Sequence, residues 1–114
     1  MSLDIDLIED GVTVYTCNIT NNLSKMIQAF DRKYYLALWH PYTLEDFRGH
    51  SEVMANELVS YYEETLLELT KNRKEYERYN SPNGWGTYDD FLPTLVQLIS
   101  YCHKYPKSVI HTTS

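Results

Sequence analysis

The stretch Leu3-Asp4-Ile5-Asp6-Leu7-Ile8-Glu9-Asp10-Gly11-Val12-Thr13-Val14-Tyr15-Thr16-Cys17 decides the fold class. Leu3, Ile5 and Leu7 are apolar and alternate with Asp4 and Asp6, the period of a strand with one buried face. Asp10-Gly11 carries the residue types that accept positive φ in a tight hairpin turn. Val12 and Val14 then alternate with Thr13 and Tyr15. The reading is a β-hairpin, Leu3 to Ile8 and Val12 to Cys17.

Beyond Asn18 the period changes. Leu23, Met26, Ile27, Phe30, Tyr34 and Leu38 recur three or four apart, as one helix face requires. Asn18, Thr20, Asn21 and Asn22 are all suitable N-caps, so the register of the helix start stays open. His40-Pro41 ends this helix, because proline pushes the residue before it out of the α region. After a loop from Tyr42 to Gly49, Ser51 can cap a second helix. Its core face would be Met54, Leu58, Tyr61 or Tyr62, Leu66 and Leu69, with Glu52, Asn56, Ser60, Glu63, Glu64 and Glu68 on the wet side. Lys71 to Tyr79 is charged and fits further helical turns over the surface.

A third helix face follows in Phe91, Leu92, Leu95, Val96, Ile99 and Cys102. Thr87 with Asp90 three later has the form of a capping box; Asp89 or Asp90 as cap would instead bring Pro93 to the first turn. Pro106 ends the helix, and Val109-Ile110 begins a short strand that could pair with the hairpin. The expected fold is α+β. Three main helices pack on a small antiparallel sheet made from the N-terminal hairpin and the C-terminal strand. The 114 residues form a single domain, 1–114, with no repeat and no linker.

Composition excludes several classes. A net charge of −6 argues against binding through the phosphate backbone of nucleic acid. No apolar run approaches the ~20 residues of a membrane span. No basic start followed by an apolar stretch marks a signal peptide, so the expected compartment is the cytoplasm. Cys17 and Cys102 cannot build a disulfide framework or a four-cysteine zinc site. The histidines His40, His50, His103 and His111 show no i, i+4 pair and no HExxH spacing. His40, Glu45, Asp46 and His50 form an imaginable ligand set, but scattered surface histidines are the commoner pattern, and neither metal nor cofactor is expected.

No GxSxG elbow, GxGxxG or P-loop is present, and Cys102 falls on a core face. Glu63, Glu64 and Glu68 cluster on a predicted solvent face, whereas paired carboxylates serve as general acid and base only where burial sets them apart, so a solvated helix surface is the reading. Catalytic residues are therefore expected to be none. The sequons at Asn18 and Asn22 are better explained as caps.

The strongest local signal is Asn80-Ser81-Pro82-Asn83-Gly84-Trp85-Gly86-Thr87-Tyr88. Structurally, Gly and Asn accept positive φ, Pro82 stiffens the loop, Trp85 plugs the core edge and Thr87 caps a helix. Functionally, the same helix start offers free N–H groups to an anion or polar ligand. Each of the two polar segments has more caps than one helix start can use. The expectation is that Asn18, Thr20 and Asn22 meet Asn83, Trp85 and Thr87 at one pole, with Trp39, Trp85 and Tyr88 completing a candidate ligand-binding pocket.

The blocks Asn18-Ile19-Thr20, Asn22-Leu23, Leu38-Trp39 before His40-Pro41, and Pro82-Asn83-Gly84-Trp85-Gly86-Thr87-Tyr88 resemble a family of small uncharacterised proteins encoded by bacteriophages and prophage regions. The resemblance runs from about Val14 to Pro106, and its specific part is Asn-Gly-Trp-Gly-Thr-Tyr. Pro93 departs from the family's pattern. The resemblance implies a source and no activity. Together these readings point to a non-catalytic binding or adaptor protein with a host or phage protein as partner. The alternative is a small enzyme or ligand-sequestering protein working at the asparagine-rich pocket. Tyr34, Tyr35, Tyr61, Tyr62, Tyr76 and Tyr79 are more rings than one small core should need, which points to a homodimer.

Overall fold

The computed structural model describes residues 2–29, 31–84 and 86–114. Strand β1 (Ser2–Glu9) and strand β2 (Val12–Thr20) form the expected hairpin, longer than the alternation alone suggested. Asp10 and Gly11 turn it with φ of 52° and 78°, the left-handed pair that tight hairpins favour. Leu7 pairs with Tyr15 and Ile8 with Thr13, so a bulge at Val14 interrupts the ladder. Strand β3 (Val109–Thr113) pairs antiparallel with β1 on its other side, giving the order β2-β1-β3. This is the α+β fold expected, with the sheet assembled as read from the sequence.

The predicted first helix is two helices. β2 continues to Thr20, and a 3₁₀ turn at Asn21–Leu23 leads into α1 (Ser24–Gln28). A separate helix α2 (Arg32–Trp39) then begins where the Asp31 side chain accepts from the Lys33 N–H at 3.0 Å. Two helices can share one apolar face, so periodicity did not expose the break. Phe30 lies outside the described residues. Asn18 is consequently a strand residue and not a cap: its Nδ2 donates to Asp4 Oδ1 at 2.7 Å across the hairpin. Thr20 does cap the turn, accepting from the Asn22 N–H at 3.5 Å.

Helix α3 (Ala55–Lys71) starts at Met54 rather than Ser51, with Glu57 Oε1 accepting the Met54 N–H at 3.1 Å. Met54 is therefore an exposed cap, not a core residue. Leu58, Tyr62 and Leu69 are buried as expected, and Thr65 joins them by donating its hydroxyl to Tyr61 O at 2.7 Å. Leu66 is half-buried against the core. The short helix α4 (Arg73–Glu77) buries Tyr76. Helix α5 (Tyr88–Lys104) has Thr87 as its cap, with Pro93 inside the helix. Its Phe91, Leu95, Leu98 and Cys102 are buried, whereas Val96, expected in the core, is 50% exposed.

The buried side chains form one cluster between the helices and the sheet face carrying Leu3, Ile5, Leu7, Ile19 and Ile110. Among the described residues, no helix is long and apolar enough to cross a membrane. Of the six rings expected to be surplus, Tyr62 and Tyr76 are buried, Tyr34, Tyr35 and Tyr61 are half-buried, and Tyr79 is exposed.

Candidate functional site

The two polar segments meet. Gly86 is buried with φ 82°, and a Cβ placed on it would lie 2.8 Å from Thr20 Cγ2 and 2.9 Å from Asn22 Cβ. The loop backbone thus rests directly on the end of β2, an approach that only glycine permits. Where the segments face each other, Asn18, Thr20, Gly84, Gly86, Asp90 and Thr94 help line an open recess of about 230 Å³. It joins the end of β2 and the short 3₁₀ turn capped by Thr20 to the start of α5, in place of the starts of two long helices.

The polar groups at this junction are largely wired to the protein itself. Asn80 Oδ1 accepts the Tyr88 N–H at 2.8 Å, which ties the loop's first residue to the first residue of α5. Thr87 Oγ1 accepts the Asp90 N–H at 3.3 Å. Ser81 Oγ donates to Asn83 Oδ1 at 2.6 Å, folding the loop tip on itself. Asn21 Oδ1 accepts from Trp39 Nε1 at 3.1 Å, linking the 3₁₀ turn to the end of α2. Tyr88 is buried, donating its hydroxyl to Leu69 O at 2.7 Å, so this ring is a core member and presents no surface to a ligand. Trp85 lies outside the described residues.

A wider recess of about 430 Å³ opens beside this junction, between Asn21, Asn22, Ser24 and Lys25 on one wall and Arg78 to Pro82 on the other. Trp39 instead lines a third opening with Tyr35, His40 and Asn21. Sequence reasoning found the asparagines but missed the cations Lys25 and Arg78. Both sit in segments read as helical surface, and only the fold brings them together. Asn80 was legible as a turn residue; its role eight positions on, at Tyr88, was not.

Chemistry that cleaves or transfers needs an activated group, and neither thiol is held in that state. Burial pushes the Cys102 thiol up to about 12, and burial with the carboxylates of Asp6 and Asp4 raises Cys17 to about 11. Thiols held so far toward the neutral form are poor nucleophiles. The hydroxyl of Tyr61 donates to Asp46 Oδ2 at 2.6 Å, which pushes that phenol up to about 12. Asp46 is thereby engaged away from the imagined His40, Glu45 and His50 set, and His50 instead meets the Phe47 ring edge-on at 6.0 Å. Among the described residues no three His, Cys, Asp or Glu side chains gather where a metal could be held.

Another group was not singled out in the sequence. Tyr15 on β2 stacks on Tyr101 of α5 with centroids 4.1 Å apart, and Tyr101 stacks in turn on Tyr105 at 6.3 Å. Lys104 lies over both α5 rings, 5.8 Å and 5.5 Å from their centroids. The half-buried rings of this row run beside β2, at one border of the sheet. The signal available was the i, i+4 spacing of Tyr101 and Tyr105, which alone does not say what they face. Comparison of the chain with family models, with curated proteins and with solved structures finds no match.

Proposed function

We propose that the protein is a non-catalytic binding or adaptor protein that works in the cytoplasm of a bacterial host, as the bacteriophage resemblance of its Asn-Gly-Trp-Gly-Thr-Tyr loop suggests. The observation that carries this reading is the wiring of the polar junction. Asn21, Asn80 and Thr87 are engaged in holding the chain, and the thiols are kept protonated. What faces outward is a surface for contact: a bordering strand flanked by the Tyr15, Tyr101 and Tyr105 row, and rings of this kind are enriched where proteins meet. The test is affinity capture with the intact chain from infected host lysate, followed by mass spectrometry of proteins and small molecules. A stoichiometric protein is expected. Capture of nothing but a small molecule would refute the reading.

A second reading is favoured by one observation. In a chain of net charge −6, Lys25 and Arg78 line the same recess together with Asn21, Asn22 and Asn80. Arg78 is held by Glu75 at 2.9 Å, so Lys25 and the amides would meet a small polar or anionic ligand there, and sequestering it would be the function. Lys25→Ala would then abolish ligand capture while leaving the melting temperature nearly unchanged.

A further inference from the structure

Three helices lie side by side over three strands: α2 beside β3, α3 in the middle, and α5 over β2. Packed helix axes stand about 8–10 Å apart. Neighbouring strands stand only about 4.8 Å apart. A layer of three packed helices is thus wider than a layer of three strands, which leaves space under an outer helix for a further strand.

On the β3 side that space is filled. Ile110 donates its N–H to Val53 O at 2.8 Å, Ala55 donates to Ser108 O at 2.8 Å, and Met54 bridges Val109. The segment before α3 thus serves as a fragment of a fourth strand. On the β2 side, among the described residues, no backbone hydrogen bond joins Val12–Thr20 to any element other than β1. This edge is also chemically unguarded. Val12-Thr13-Val14-Tyr15-Thr16-Cys17-Asn18-Ile19-Thr20 contains no proline, no glycine and no charge. Natural edge strands usually carry such residues to prevent pairing. Beyond the bulge at Val14, Tyr15 to Thr20 keeps a regular ladder with β1.

We propose that the slot beside Tyr15 to Asn18 of β2, short of the Thr20 end on which Gly86 rests, accepts an extended segment of a partner protein as an added strand, apolar at the alternate positions under α5 and basic at those between. This rests on the reading of the chain as a binding protein and names where and what it binds. The apolar side chains would lie on the face where Tyr15 meets Tyr101. The basic ones would lie on the open face, where Thr16 and Asn18 are paired with Asp6 and Asp4 of β1. A lysine or arginine is long enough to reach across one strand to those carboxylates. Main-chain bonds to β2 would supply affinity and the alternating side chains selectivity, the mode of strand addition. A second copy is the wrong occupant. Pairing β2 with β2 would offer Asp4 and Asp6 no cation, because Val12–Thr20 carries no charge.

The test uses the full chain and a capped octapeptide alternating valine and lysine. A control peptide has the same side chains but N-methyl groups on the amides that would face β2. Amide hydrogen exchange is followed residue by residue. At a peptide concentration near ten times its dissociation constant, exchange at alternate β2 amides between Tyr15 and Asn18 should slow about tenfold. The N-methylated control should leave them unchanged. Unaltered exchange with the first peptide would overturn the proposal, as would equal slowing by the control, which would show attraction by charge alone. Protection in the free protein that rises with concentration, with a mass twice 13.5 kDa, would overturn it in favour of a second copy. None of these results touches the broader reading, which fails only in the capture experiment.

Discussion

Tyr15 lies almost flat on Tyr101, the ring centroids 4.1 Å apart and the planes inclined by 14°. A residue of the bordering strand is thereby fixed to the last helix across 86 positions of sequence, and the Tyr15 hydroxyl reaches Gln97 Oε1 at 3.5 Å. Such ring pairs contribute about 0.5–1.5 kcal/mol beyond the area they bury. Tyr15→Leu and Tyr101→Leu, measured singly and together by urea unfolding, should show a coupling energy in that range. A coupling near zero would mean that the rings only share a surface.

Gly86 tests the meeting of the two polar segments. Gly86→Ala would force a left-handed backbone on alanine and press its Cβ against Thr20 and Asn22. Backbone strain of about 1–2 kcal/mol adds to overpacking of about 1–3 kcal/mol. Gly84→Ala is the control, since its φ is 77° and nothing stands within 4 Å of the added atom. It should lose only the backbone part. Equal losses at the two positions would contradict the close approach.

Thr87→Ala should lower stability by about 0.5–2 kcal/mol through the lost cap, and Thr87→Ser should recover most of it. Asn80→Ala removes the acceptor for the Tyr88 N–H and should destabilise as well. If binding of the captured partner weakens only as far as the unfolded fraction grows, the junction is structural. Lost binding with an unchanged melting temperature would instead favour the ligand recess.

The thiols give a pH dependence with a definite sign. With folded values of about 12 for Cys102 and about 11 for Cys17, the native state keeps protons that the unfolded chain releases. Stability therefore falls as pH rises through the ordinary thiol range and continues to fall until the folded values are passed. Buried Tyr62, its phenol raised chiefly by burial, steepens the fall at higher pH. Chemical unfolding between pH 8 and 10 should show the decline, and Cys102→Ala should flatten it. Stability that rises over this interval would contradict the raised values of both thiols.

The hairpin was legible because Asp10-Gly11 and the flanking alternation are local signals, and Thr87 because a cap and its helix are adjacent in sequence. The break between α1 and α2 was hidden by a continuous three-and-four spacing, although Asp31 carried the cap chemistry to mark it. Asn18 was misread because a polar residue on an open strand face and a helix cap look alike in sequence. Gly86 was read as a loop former, and its contact with Thr20 depends on where the chain returns. The border of β2 that no described backbone group pairs with, before the Gly86 contact, was illegible for the same reason. Whether a strand edge is covered depends on distant segments such as Val53 to Ala55, and these happen to close the other side.

The most direct measurement is the hydrogen-exchange footprint of the host or phage protein, once captured, on the intact chain. Strand addition places protection on β2 from Tyr15 to Asn18 and on the Tyr101 to Tyr105 end of α5. Protection confined to Asn21 to Lys25 and Arg78 to Pro82 would contradict it, and would place function in the recess between those segments.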